Sequence, residues 1–582
     1  MTNLKNIKNI KIIKKENIVY LSVFIVATVL LICKIFISSE ITLKDESQYI
    51  TTAFRYVKGD VMLIHEWSVV QTSSFLLIPF WWIWNLFSAG STEGIIIYFR
   101  FIYLLFKIGV FIYSLFLTKG KEYRKYVFWA GMVFYCFSPQ NIDALSYNTI
   151  GLGMIYLIML YILVDSQKKR DYMICGGLFA IAVFVQPYNL LLYLGYFITV
   201  ILIEAFNLYR IKNNKESLEV SSFFSLKGFL WFSISPALMV LLMVIYFGMS
   251  ASLGDVIVGL KNTLNEPDHV SDSGLIGSFR AKLVHNVDTF FKDYLIINIV
   301  NIIWLGVLIV GRMKKKFFSI GTIYLLLLSC ISVAIIEKSF PMNILFFVFF
   351  WFSLQELVLI RNMKTDYYIC MIISLGYSLC VMMGTNTGVI SASAAMAAIA
   401  FIDIIIWAFV SEDSFIKNIN DSEHKMLKTD APLLLLTVLV LMLRMIYAWT
   451  DICTPSLYNA YLDRGPLKGT YTKKEVKDHY DDILSDMDKL ECREDDILLC
   501  GCTTPVAYLY TKADAGVMAV YFFNMNYEWL DLYYDFNPEK MPSVIYYEKA
   551  NKRDRNSDFI KGLSEDYEIL ECDKKILART SR

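Results

Sequence analysis

Two adjacent carboxylates, Asp45 and Glu46, stand just past the first long apolar stretch of this 582-residue chain, and Tyr49 follows one helical turn on. Adjacent ionised acids repel, so one of the pair gains from a nearby cation, a metal ion or a proton. A carboxylate held at a water–lipid boundary can take a proton from an alcohol and aim its oxygen. Acids near span ends are common, but three neighbours set this pair apart. They are Tyr49 and Ala53 at helical spacing, Arg55 and Lys58 close behind, and a long amphipathic loop after them. Asp45 is the expected base, with Glu46 as its runner-up or as a metal ligand.

The elements that must hold these residues are membrane helices. The chain is 56% hydrophobic and 19% charged, against about 25% charged in soluble proteins. Apolar stretches recur from Ile18 to about Trp449, each long enough for roughly 30 Å of hydrocarbon. About thirteen spans are predicted, at 18–38, 95–118, 127–138, 149–164, 172–186, 190–208, 228–248, 294–311, 317–336, 341–360, 367–384, 388–410 and 431–450. The Lys/Arg clusters at the N-terminus, Lys119 to Lys125, Lys168 to Arg170, Arg210 to Lys227, Arg312 to Lys316, Arg361 to Lys364 and Lys417 to Lys428 then share the cytoplasmic side. The N-terminus is expected inside and the C-terminus outside. The stretch Phe75 to Phe87, with Trp81, Trp82 and Trp84, is predicted to lie on the outer leaflet, because a crossing there would invert every later cluster. The N-terminal apolar segment is read as an anchor and not a cleaved leader.

Two domains follow. Residues 1–450 form the membrane domain, with long outer loops 40–94 and 249–293, and residues 451–582 form a small extracytoplasmic α/β domain. In the latter, Lys474 to Lys489 reads as a helix, Asp495 to Gly501 and Pro542 to Tyr547 as buried strands, and Tyr567 to Leu577 as a closing hairpin. Gly465 to Thr470 reads as the linker turn. The eleven cysteines give no complete disulfide framework, and Cys500-Gly501-Cys502 reads as small buried residues ending a strand.

At Asp45, Glu46, Tyr49 and Ala53, with Gly59-Asp60 beyond, the chain resembles the GT-C glycosyltransferases, such as protein O-mannosyltransferases and lipid A aminoarabinose transferases. Those enzymes carry Asp-Glu-x-x-Tyr after the first span, a juxtamembrane helix, and an Arg early in the second span, here Arg100. The resemblance implies a GT-C-like polytopic fold and transfer of a sugar from a polyprenyl-phosphate donor to an extracytoplasmic glycan or protein acceptor. One carboxylate acting on the acceptor gives inversion at the anomeric carbon, without a covalent intermediate. The family's second Asp falls near Asn148, with Asp143 as a substitute, a Lys ending the fifth span is replaced by Gln186, and the Pro-rich motif gives way to His65-Glu66-Trp67. These departures leave donor identity and metal use open: no cofactor is required, though a divalent metal fits the chemistry.

Tyr49, Arg55, Lys58, Arg100, Asp143, Asn148, Arg280 and Lys282 are the expected substrate or phosphate contacts, with Lys261, His285 and Lys292 as weaker ones. Asp268-His269 is too thin for a metal site. Within the spans, Lys34, Glu356 and Arg444 can snorkel, and Lys107 and Asp403 can pair across the bundle. The expected partners are the lipid bilayer, the lipid-linked sugar and the acceptor, with no nucleic acid. The expected place is a bacterial cell membrane. The alternatives are a lipid-linked glycan flippase, which needs a polar path through the bundle, and a surface-glycan polymerase.

Overall fold

The computed structural model describes residues 2–213, 216, 220–265, 274–314, 319–337, 340–360, 363–385, 389–415, 425–448, 450–501, 504–521, 527–548, 567–571 and 575–580. Asp268, His269, Cys502 and Cys572 lie outside them. Among the described residues, eight helices are long and apolar enough to cross a bilayer: Asn17–Ile35, Ile95–Leu117, Tyr147–Val164, Pro187–Lys212, Leu226–Ser250, Leu295–Met313, Pro341–Leu359 and Thr365–Met383. The chain is a helical multi-pass membrane protein. The five other expected spans also fall on helices, each shorter, broken or more charged: Arg124–Cys136, Lys169–Val185, Ser319–Ile336, Val389–Ala395 with Ala397–Phe415, and Lys425–Ile446. Arg124–Cys136 is only 13 residues long, and Tyr126 to Cys136 are all buried among the other helices. At the periphery, Pro187–Lys212 leaves Leu191, Leu194, Ile198, Ile201 and Leu202 uncovered. Apolar area on that scale needs lipid against it.

The charged side chains inside the bundle are placed differently from expectation. Lys107 lies over the rings of Tyr103 and Tyr135, at 5.0 and 5.7 Å, and forms no ion pair with Asp403. Asp403 instead accepts from Ser353 at 2.8 and 2.9 Å and faces Glu356. Lys34, Glu356 and Arg444 do not snorkel either; all three are buried. Lys34 donates to the Tyr447 carbonyl at 2.8 Å, and Arg444 pairs with Asp143.

Residues 40–94 form a folded cap over one end of the bundle. A π-type turn, Thr42–Glu46, runs into the helix Ser47–Val57, in which residues 47 to 56 are buried on every side. The expected surface helix is Ile78–Ser88. Its 11 residues are too short to span. Trp81 points inward, donating to the Ile50 carbonyl at 3.0 Å and stacking on Phe54 at 4.8 Å, while Trp82, Leu86 and Phe87 stay exposed. The segment 249–293 supplies helices Leu253–Leu264 and Gly274–Asp293. The first packs on the cap so closely that a Cβ on Gly259 would lie 1.8 Å from the Leu63 carbonyl oxygen.

The C-terminal domain is α/β. Short ladders β1 (Tyr447–Ala448) with β2 (Asp451–Ile452), and β3 (Ala460–Tyr461) with β4 (Tyr471–Thr472), lead into the helix Lys474–Lys489. Strands β5 (Ile497–Cys500), β6 (Asp514–Ala515), β7 (Val544–Glu548), β8 (Tyr567–Glu571) and β9 (Lys575–Thr580) form one sheet in the order β6-β5-β7-β9-β8. β5 pairs in parallel with β6 and β7, and the hairpin β8–β9 closes the edge antiparallel. The helices Val506–Thr511 and Tyr527–Phe536 lie outside the expected list. Gly465 to Thr470 is no free linker. Gly94 and Ile96 donate to the carbonyls of Gly465 and Pro466, and the chain around Tyr471 bonds back to Phe36 and Ser38.

Trp67 fastens cap to domain. It is fully buried in the domain's own core, packed at 5.2 to 6.1 Å against Trp529, Tyr533 and Phe536, and its amide donates to the Met518 carbonyl at 2.7 Å. Beside it, Arg55 pairs with Asp60 at 2.7 Å and Glu66 at 2.6 Å, and Lys540 reaches Asp60 at 2.5 Å from the domain side.

Candidate active site

Successive helical residues point about 100° apart, and that divergence separates the two acids. Glu46 turns inward against Arg100. The guanidinium grips both carboxylate oxygens, at 2.5 and 2.8 Å, and also donates to Ile35, Ile37 and Thr42. Every donor of Arg100 that can be placed there holds the end of the first helix, the π turn and the second span together. The arrangement is a buried fastening, not a ligand site.

Asp45 turns the other way. Its side chain is half-buried, and no described side chain hydrogen-bonds it. Burial pushes its carboxyl up to about 6, against the opposing pull of its own backbone amide and of Lys44. Lys44 itself is paired with Glu40. One turn on, and so on the same face, Tyr49 faces Ser146 and lies 6.3 Å from the ring of Tyr147. Ser146 is the N-cap of the helix Tyr147–Val164, accepting from the Thr149 amide at 3.2 Å. The cap is the local reason that Tyr147 and Asn148 open the helix beside Asp45.

Three amides continue the wall. Gln186 donates to the Asn148 side chain at 3.1 Å and accepts from Asn189 at 3.1 Å, with the Tyr377 hydroxyl beside it from the opposite helix. Gln186 and Asn189 bracket the turn Pro187–Asn189, where Tyr188 joins Tyr49, Tyr147 and Tyr377. Two glycines make room. A Cβ on Gly151 would lie 2.2 Å from Gln186 Oε1, and one on Gly384 would lie 1.9 Å from the Tyr188 ring. Tyr147, Asn148 and Tyr188 are half-buried, like Asp45, and we take the partly covered polar face they share with Tyr49 as the candidate cleft. Lys282 is half-buried at its rim and donates to the Met383 carbonyl at 3.3 Å, next to Gly384.

Of the ten expected site residues, the structure brings Asp45, Tyr49 and Asn148 together, with Lys282 at the rim. Of the two cations expected to meet phosphate, Arg55 is held by acids of the cap, with Tyr533 of the C-terminal domain at 3.5 Å, and Lys58 is engaged with that domain. Arg55 lies between Asp60 and Glu66, and Lys58 reaches Asp514 at 2.6 Å and the carbonyls of Glu494 and Lys512. Burial lifts Glu66 to about 7 in spite of Arg55. Burial would raise Asp60 too, but Arg55 and Lys540 outweigh it and hold that carboxyl below its ordinary value. Glu46 and Arg100 hold each other, and Asp143 holds Arg444. Arg280 is exposed on a shallow groove with His285 and Asp288, Lys292 pairs with Asp288, and Lys261 lies on the helix that packs on the cap. Tyr147, Tyr188, Asn189 and Tyr377 were missed. The signal for Tyr188 and Asn189 is the Gln-Pro-Tyr-Asn run at 186–189, a polar break between apolar helices.

Among the described residues, no group of three or more His, Cys, Asp or Glu is placed to hold a metal ion. Around Asp45 the neighbours are phenols and amides, and Glu46 is held by Arg100, so the ligand set a divalent ion prefers does not assemble there. No family model, characterised protein or solved structure matches the chain.

Proposed function

We propose that this protein is an inverting glycosyltransferase that moves a sugar from a polyprenyl-phosphate donor to an acceptor hydroxyl, with Asp45 as the base. The observation that carries this reading is Asp45 itself, a carboxylate with no cation bonded to it in a cleft of hydrogen-bonding groups. Its neighbour Glu46 and the other acids of the cap are all paired. Asp45 takes the proton from the acceptor hydroxyl as that oxygen attacks the anomeric carbon. The bond from that carbon to the phosphate oxygen breaks, and its electron pair leaves with the lipid phosphate. A phosphate is already a good leaving group, so no strong acid is needed, only a cation to steady it. Lys282 is the cation of the cleft rim and takes that role. Thirteen crossings, with the cap and C-terminal domain outside a bacterial cell membrane, would put the cleft where lipid-linked sugars and glycan or protein acceptors meet.

The test is to incubate purified protein with radiolabelled polyprenyl-phosphate sugars and follow loss of label from the lipid. Release that is abolished in Asp45→Asn supports the reading. Undiminished release in that variant removes Asp45 from the chemistry.

One observation favours a second reading, a proton-coupled flippase for lipid-linked glycans. Glu356 and Asp403 are fully buried together inside the helix bundle, with no described cation pairing them, and intramembrane acids of this kind are often transport residues. Movement of lipid-linked sugar between leaflets without loss of label, abolished in Asp403→Asn, would select it.

A further inference from the structure

We propose that the Asp45 cleft accepts an uncharged glycosyl group, its hydroxyls met by the amides of Asn148, Gln186 and Asn189 and its ring laid on tyrosine; this rests on the glycosyl-transfer reading above. The argument starts from hydrogen-bond supply. Asn189 is fully buried, both hydrogen bonds of its side chain are donated from Nδ2, and its Oδ1 has no partner; the Tyr188 hydroxyl is buried and unpartnered as well. Each such group is desolvated without compensation until a partner meets it. One waits to accept and the other can donate or accept, and a sugar hydroxyl can do both at once.

Charge narrows the class. The wall formed by Tyr49, Tyr147, Asn148, Gln186, Tyr188 and Tyr377 carries no formal charge. Among the described residues Asp45 is the one carboxylate of the cleft, and it must remain available to the acceptor. A uronic acid would bring a second carboxylate beside Asp45 with no cation on the amide wall to receive it. An amino sugar would bring an ammonium that pairs with Asp45 and occupies the base. A hexose has neither fault. The tyrosines supply flat apolar faces with polar rims, the surface a pyranose presents in reverse.

The experiment offers the unaltered full-length protein three donors on the same polyprenyl phosphate: glucosyl, glucuronosyl and glucosaminyl. Glucosyl release at least about 10-fold above both others, measured as kcat/KM, is the expected result, equivalent to about 1.4 kcal/mol of discrimination. Equal use of all three, or preference for a charged sugar, overturns the inference while leaving the transferase reading intact. Release from none of them defeats both readings. A Gln186→Lys variant adds a second arm, with its ammonium expected to move the glucuronosyl-to-glucosyl ratio upward by about 10-fold. An unchanged ratio in folded Gln186→Lys counts against the amide wall as the sugar reader, and the three-donor comparison stands without that variant.

Discussion

The Arg55 and Arg100 networks and the Asp45 cleft lie within one short stretch of chain and follow opposite rules. In the networks every buried cation meets a carboxylate: Arg100 with Glu46, Arg55 with Asp60 and Glu66, Lys540 with Asp60. Removing one partner strands the other, so these residues report on folding. In the cleft the carboxylate stands alone, and burial makes its ionised form costly. A group that the fold does not use to hold itself together is free to hold something else. The difference between Asp45 and Glu46, one peptide bond apart, is the clearest case.

The largest expected effect tests the cleft side of that contrast. Asp45→Asn should lower sugar release by about 10²- to 10⁴-fold, the range of a lost general base, while the purified protein elutes as the parent does and melts no lower. A collapsed elution profile would instead put Asp45 with the structural acids. On the other side, Arg100→Gln should cost about 3–5 kcal/mol, because Glu46 remains buried without its cation. Retained stability in that variant, read by thermal unfolding in detergent, would break the distinction. Trp67→Ala empties a site in the core of the C-terminal domain and should cost about 3–5 kcal/mol, seen as protease cutting near Gly465 before the bundle unfolds.

Smaller effects sharpen the comparison. Release should rise with pH through about 6 and then level off, because the base works only when ionised. The stability change runs the other way. The folded carboxyl holds its proton to a higher pH than the unfolded one, so the fold loses stability as pH rises from about 4 to about 6. Asp45→Asn should abolish that loss, a gain on the order of 1–2 kcal/mol at pH 7 once partial exposure is allowed for. An identical pH profile of unfolding in parent and variant would show that Asp45 is not desolvated.

Composition and hydropathy alone determined that this is a multi-pass helical membrane protein with an α/β tail. Hydrophobic length and period are local properties that survive any packing. The acidic pair after the first span and its helical spacing marked Asp45 and Tyr49, and only the family resemblance pointed to Asn148. These signals could not tell Asp45 from Glu46, because both are acids at the same boundary until Arg100, some fifty residues later, closes on one of them. Nor could they foresee that Arg55 would meet acids of the cap and Lys58 the C-terminal domain, and neither a phosphate, or that Lys107 would rest on tyrosine rings while Asp403 faced Glu356. Those outcomes depend on which distant side chains arrive at each charge. Ion pairing and burial are set by contacts between elements far apart in the chain, and only the tertiary structure assigns them.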